Sequence, residues 1–480
     1  MVSGKRQSYY RLRKGRCMMM SFDLLLHNTR AVIGNTIVSC DIGIIDGKIA
    51  ALLEPNIGNV RGVREYDVEN RIVVPGAIDT HAHIGQVDST LKGDAGSVAA
   101  NFSSESLSAL AGGVTTAVNY VKFGQNSLLE TYAGEMEVAQ QFGHMNFLFH
   151  GYLMNDLHLD ELARAFQKGL HTFKIFMPYR GEEARSLGGI SSLNDFQMQW
   201  AFRKLASLGG MAMVHAEDGD IVEYSTRNME AHGGQSLAAW EASRPIEAEG
   251  DAALRSIYLA QLEQCPITIV HVSSHEALRA RNALAYPNMR METCPHYLVL
   301  ATEQDLGPQG KVAPPIRERR ESIALWEAIE SHTLDFLGYD HNVWIKEAKE
   351  ELWSAKAGLP GIGLMMPLFA SEGIFNHGLS WPDVVRFTST NAAQWFGLYP
   401  QKGVIAVGSD ADLVIMDQGT KTVPSEDPFS IVNYSPYAGW KLSTWPWASI
   451  VHGQWVYQDG VFFTEHIPAR ILNAGRNSQS

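Results

Sequence analysis

Cysteine is scarce. Four occur in 480 residues, Cys17, Cys40, Cys265 and Cys294, and no two form a Cys-x-x-Cys pair. That excludes a disulfide-stapled scaffold and fits a reducing compartment, so the expected location is the cytoplasm. Long apolar runs are missing too. None approaches the roughly 18 residues that cross a bilayer, so no membrane partner is expected. Basic charge is short: 39 Lys and Arg stand against 52 Asp and Glu, a net of −13. A nucleic-acid partner would want a basic face and is not expected. There is no solenoid-type repeat and no low-complexity segment. What remains is an ordinary globular composition, 45% apolar. The length is too great for one small core. It suits several domains, or one large α/β barrel with an accessory domain.

The first twenty residues stand apart. "KRQSYYRLRKGRCMMM" holds six Lys or Arg and no acid. An Arg-rich targeting presequence would look like this. A disordered extension ahead of the fold, with the natural start at Met18, Met19 or Met20, accounts for it better, because "SFDLLLHN" then begins a clean strand.

Both ends of the remaining chain alternate short apolar runs with turn signals. Asp46-Gly47 and Asp459-Gly460 sit at hairpin positions. Residues 21–75 and 400–465 are therefore expected to build one small β-sandwich domain, with the middle inserted and 466–480 left as a tail. The middle, 76–399, offers eight apolar strand candidates. They are "VVPGAIDTHAHI", "GVTTAVNYV", "MNFLFHGYL", "LHTFKIFM", "GMAMVHAE", "CPITIVHVSS", "MRMETCP" and "LDFLGYD". Helical periodicity falls between most of them, as at 127–142, 194–208, 252–264 and 316–332. Eight such units predict an α/β fold, a (β/α)8 TIM barrel.

Barrel enzymes keep their chemistry at the C-terminal ends of the strands. There the first candidate carries His81 and His83, the fourth Lys174, the fifth His215, the sixth His271 and the eighth Asp340. Residues i and i+2 of a strand share a face, so His81 and His83 can aim at one ion. A lone strand-end histidine is usually a hydrogen-bonded core residue. Five strands delivering nitrogen and oxygen donors to one rim point to a divalent metal. Lys174 lies inside "TFKIF" with no acid nearby in sequence. An ammonium cannot ligate a cation, and burial favours the neutral amine. That amine can add to CO2, and the resulting carbamate is a carboxylate on a long stem, able to bridge two metals. A lysine snorkelling to solvent is the plainer alternative, and the histidines weigh against it.

These segments resemble the cyclic amidohydrolases: hydantoinase, dihydropyrimidinase and allantoinase. "GAIDTHAHI", "TFKIFMPYRG", "VHAED", "IVHVSS", "ETCPHYL", "KVAPPIR", "GYDH" and "LYPQKGVIAVGSDADLVIMD" follow in the family's order, from about residue 22 to 465. The resemblance implies a binuclear centre, usually zinc. His81, His83 and Asp340 would hold one ion, His215 and His271 the other, and carbamylated Lys174 would bridge. A bridging hydroxide would attack an amide carbonyl of a small cyclic substrate. Asp340 would shuttle the proton, and Tyr179 would donate to the oxyanion. The backbone at Ala313 would meet the substrate's amide edge. Cys294 and His296 would be packing or supporting groups, and His341 would steady a ligand. A homotetramer or homodimer is implied.

Members differ in substrate. "FKIFMPYRG" leans toward dihydropyrimidinase and D-hydantoinase, whereas "KVAPPIR" and "LPGIGLMMPLF" lean toward allantoinase and L-hydantoinase. The first strand lacks the arginine that dihydroorotases place two residues after the second histidine, so that activity ranks low. After "DH" the run is "NVWIKEAKEELW", where relatives often carry Pro or another His, and this leaves the pocket's shape open. The expected function is ring opening of a hydantoin- or dihydropyrimidine-like amide, with allantoinase the alternative. A non-catalytic scaffold on the same fold ranks lower, since such relatives have lost ligands that are all present here. A one-metal deaminase would have no use for Lys174.

Overall fold

Period-two alternation at the two chain ends becomes one hydrogen-bonded sheet. The computed structural model describes residues 20–55, 57, 60–86, 97–181, 184, 192–232, 234–304, 306–463 and 467–473. The expected N-terminal extension lies outside the described residues up to residue 19, and the first strand is already under way at Met20. The N-terminal part supplies β1 (Met20–Ile33), β2 (Thr36–Ile45), β3 (Lys48–Leu53), β4 (Val60–Asp67) and β5 (Ile72–Pro75).

The barrel follows as β6 (Ala77–Ala82), β7 (Val114–Tyr120), β8 (Asn146–Leu153), β9 (Thr172–Phe176), β10 (Met211–His215), β11 (Ile267–Ile269), β12 (Met289–Thr293) and β13 (Phe336–Leu337). Then come β14 (Leu413–Thr422), β15 (Lys441–Val451), β16 (Gln454–Gln458), β17 (Val461–Phe462) and β18 (Arg470–Ile471). The end sheet runs β17-β16-β15-β14-β5-β1-β2-β3, with β4 beside β1. Antiparallel pairing of Val73 with Ile415 and Val74 with Val414 ties the two chain ends together.

The first barrel candidate, expected as one strand, is two strands in two sheets. β5 joins the end sheet between β14 and β1, and β6 opens the barrel after Gly76. A side chain at residue 76 would lie 2.0 Å from Thr115 Oγ1, so only glycine lets the backbone pass there. From β6 to β13 the strands neighbour one another in chain order and run parallel. β13 and β6 meet through a bridge between Ala82 and His341, and the Asp340 N–H donates to the His81 carbonyl at 2.8 Å. Helices such as Leu128–Phe142, Asp195–Leu208, Ile246–Leu262 and Arg319–Glu330 lie between the strands in sequence. Among the described residues, no helix is long and apolar enough to cross a membrane.

Alternation along the barrel strands sorts the two ends of its interior. Val118 lies two residues before Tyr120, Leu148 four before Tyr152, and Met213 two before His215. Val118, Leu148 and Met213 join Ile78, Val270 and Phe336 in a buried cluster that Trp395 and Phe396 close off. Burying each such side chain contributes about 1.5–3 kcal/mol. The barrel is thus packed at one end and polar at the other.

One acid apart from the proposed ligands has a measurable signature. Glu135, on the helix Leu128–Phe142, is 7% exposed. One carboxylate oxygen accepts the Lys122 N–H at 2.7 Å, and the other has no hydrogen-bond partner among the described residues. Burial pushes its pKa up to about 8. The unfolded chain ionises it near 4.5, so folded protein binds the extra proton and stability drains away as pH rises between those values. Glu135→Gln keeps the acceptor and removes the titration. Its melting temperature should gain on the wild type progressively from about pH 5 to about pH 8. A gap independent of pH, followed by calorimetry, would contradict this.

Candidate metal centre

Lys174 occupies the middle of β9, whose neighbours Phe173 and Ile175 point to the opposite face and are fully buried. In register it faces Tyr152 of β8 and Met213 of β10. Its side chain is 1% exposed and forms no ion pair among the described residues. Nζ lies 3.4 Å from His81 Nε2 and 3.4 Å from His271 Nε2, over the rings of Tyr120 and Phe176. Burial is the main reason its pKa falls below the ordinary lysine value, against the pull of Asp340 and Glu292.

The other five predicted ligands surround this amine. Ligand atoms of His81, His83 and Asp340 all lie within 4.8 Å of one another. Asp340 Oδ1 is 3.0 Å from His83 Nε2 and 3.4 Å from His81 Nε2. The His215 and His271 rings meet edge to face, centroids 4.4 Å apart. Burial, first of all, lowers the pKa of all four histidines, which keeps them as the neutral imidazoles that bind metals. Two of the gathered residues hold left-handed backbone, His271 at φ 42° and Asp340 at φ 59°. Such strain in non-glycine residues gathers at functional sites.

Three buried acids escaped the sequence reading, and each positions a histidine. His81 Nδ1–H donates to Glu292 at 2.7 Å, which turns Nε2 toward Lys174 and Asp340. His215 Nε2–H donates to Glu217 at 2.6 Å. Burial opposes the ionisation of Glu217, but Arg244 (2.7 Å away) and His215 overcome it and hold the carboxyl at about 2. His341 Nε2–H donates to Glu105 at 3.1 Å, while the His341 carbonyl accepts the His83 N–H at 2.9 Å. Gln86 lies 2.9 Å from His83 Nδ1. The signal was present: a lone glutamate in the apolar run "MRMETCP", and another two residues after His215 in "VHAED".

Partners that hold a ligand's second nitrogen typically carry about 10–100-fold of metal affinity. Glu292→Gln should therefore weaken metal binding by about that factor while the far-ultraviolet circular dichroism stays unchanged. Titration of metal-stripped protein would show it; unaltered affinity would leave Glu292 a packing residue.

The donor set fits a divalent ion. Four neutral imidazoles, one carboxylate and an amine convertible to a carboxylate are the nitrogen and oxygen ligands of borderline metals. His271 Nδ1 is buried without a partner among the described residues, as a ring awaiting a further bond would be.

The remaining predicted residues divide. Tyr179 is half-buried beside the centre, its ring 5.9 Å from that of His215 and 4.9 Å from that of Phe176. Ala313 packs against Leu237, Trp240 and Leu352, an apolar cluster that includes none of the six ligand candidates. Cys294 is fully buried in the core. His296 is fully buried. Neither ring nitrogen has a partner among the described residues, and the ring packs 4.2 Å from that of Tyr297.

The chain matches the amidohydrolase family over residues 72–456. It is 31% identical over 455 residues to an L-hydantoinase of Paenarthrobacter aurescens, covering 92% of this chain and 96% of that one. A D-hydantoinase of Ralstonia pickettii is 29% identical over 476 residues, covering 95% and 100%. Among solved structures, the L-hydantoinase (dihydropyrimidinase) of Arthrobacter aurescens superposes with a TM-score of 0.85 at 30% identity, over 94% of this chain and all of that one. The dihydropyrimidinase of Brevibacillus agri gives 0.85 at 28% identity, over 95% and 99%.

Proposed function

The chain belongs to the amidohydrolase family, and from that membership we propose that it hydrolyses the ring amide of a hydantoin- or dihydropyrimidine-like substrate with the help of divalent metal. The observation that carries this reading is the buried Lys174 amine, 3.4 Å from His81 on one side and 3.4 Å from His271 on the other.

In this reading His81, His83 and Asp340 would hold one ion and His215 and His271 a second, and Lys174, once carboxylated, would serve both. The Nζ lone pair forms a bond to the carbon of CO2, one C=O pair moves to oxygen, and Nζ releases a proton to solvent. Zinc is the ion proposed, because it is the usual one in the family and these nitrogen and oxygen donors suit it. When bound, such ions supply a water acidic enough to lose its proton near neutral pH, and they polarise the carbonyl under attack.

The chain's own groups do the rest. Asp340 takes the proton of the attacking water and delivers it to the ring nitrogen as the C–N bond breaks. The Tyr179 hydroxyl donates to the oxygen that becomes negative. Main chain at Ala313 meets the substrate's amide edge. The walls at Tyr120, Tyr152 and Phe176 keep bulk water out, which strengthens every charge interaction inside. The active form in this reading is a homodimer or homotetramer, which light scattering after size exclusion would reveal.

The test is elemental analysis of freshly purified protein, with ring opening of hydantoin, dihydrouracil and allantoin assayed on the same sample. About two metals per chain with turnover of one ring is the expected result. A chain that takes up no metal after incubation with zinc and bicarbonate would overturn the reading.

A further inference from the structure

Behind the metal centre lies a cavity of about 380 Å³, within the size range of small-molecule sites. None of the six proposed ligands lines it. It is lined by Glu105 and by His341, whose carbonyl accepts the His83 N–H. Its walls are largely apolar and aromatic, with Leu364, Val423, Phe429 and Val432 among them.

The polar groups around it fall into two kinds. The charged ones are engaged. Glu105 accepts from His341, Ser430 and the Ile431 N–H. Asp427 accepts from Ser108 at 2.6 Å and from the Phe429 N–H at 2.9 Å, and Lys421 pairs with Asp459 at the rim. Two neutral donors are not engaged. Tyr434 is 7% exposed, and its hydroxyl is buried with no partner among the described residues. The Trp445 indole N–H is likewise buried and unpartnered. Buried donors are almost always satisfied, so two of them on one cavity call for an acceptor inside it. Indole N–H can only donate. The three acids that line it, Glu105, Asp427 and Asp459, disfavour an anion, and each is already engaged rather than left open for a cation.

We propose that this cavity is a second small-molecule site. It takes a neutral, flat molecule with an apolar ring and a hydrogen-bond acceptor, such as an aryl carboxamide, held by the Tyr434 hydroxyl and the Trp445 indole. The site goes beyond the hydrolytic reading and does not depend on it.

The probe is 4-bromobenzamide, soaked into crystals of the full chain and titrated into the same protein by calorimetry. The expected result is an anomalous bromine peak in this cavity, with the amide oxygen at hydrogen-bond distance from Tyr434 or Trp445. Tyr434→Phe and Trp445→Phe should each weaken solution binding by about 5–10-fold, the effect of one lost hydrogen bond. Val432→Trp should fill the space and abolish binding, with folding of all three variants checked by circular dichroism. A bromine peak only beside Tyr179 would overturn the proposal. So would ordered water alone in the cavity at saturating probe, side chains of a second copy seated in it, or both phenylalanine variants binding as tightly as the wild type.

Discussion

Lys174→Ala is expected to lose bound metal and catalytic activity together. Nζ lies 3.4 Å from a histidine of each proposed ligand set, so its removal takes away the group placed between them. Losing a partner that merely steadies a ligand already costs about 10–100-fold in metal affinity or activity. Losing a ligand common to both ions should cost at least about 10³-fold in kcat. The fold should survive, because the amine has no ion pair among the described residues to forfeit and its burial is itself unfavourable.

Two controls separate the bridging role from a packing role. Lys174→Arg keeps length and charge but cannot form a carbamate, so it should be as inactive as the alanine variant. Short carboxylates such as acetate or propionate should partly restore metal and rate to Lys174→Ala, since they can occupy the space of the missing group. The measurements are metal per chain and ring-opening rate on one preparation, with and without the additive. Full activity in Lys174→Ala would end the bridging role. Metal loss without rescue, joined to a collapsed melting temperature, would return Lys174 to a structural part.

The same lysine shows what a sequence discloses. A charged residue in an apolar strand breaks a local pattern, and a broken local rule is visible without coordinates. The spacing of His81 and His83, and the strand-end positions of His215, His271 and Asp340, are local as well, and the structure gathers these residues around Lys174. The acids that hold the histidines were harder to see. Glu292 meets a partner 211 residues away, and nothing within "MRMETCP" says which histidine it will face. Glu105 sits mid-helix among serines and alanines, in a stretch that reads as an ordinary surface. The break at Gly76 was hidden for another reason. β5 and β6 are both apolar strands, and only the close approach of Thr115 shows that the backbone must turn there into a different sheet.

Asp340→Asn should lower kcat by about 10²–10⁴-fold, the usual worth of a positioned acid–base group, while the protein stays folded. The substitution is chosen for its backbone. Residue 340 sits at φ 59°, a left-handed conformation that asparagine tolerates and that alanine resists. The residue's N–H donates to His81 and its carbonyl accepts from Asn342 Nδ2 at 2.9 Å, which also reaches Oδ1 at 3.4 Å, and an asparagine oxygen can accept there as well. Asn keeps an oxygen where Oδ1 stands 3.0 Å from His83 Nε2. What it loses is the negative charge and the ability to take a proton. A fall in rate at an unchanged melting temperature therefore reports chemistry. Metal content must be read alongside, because the carboxylate is both a proposed ligand and the proposed base. If both ions stay bound and the rate still falls, Asp340 is the proton shuttle. If the ion held with His81 and His83 is lost, the residue acts first as a ligand. An unchanged rate with both ions in place would move the base to another residue.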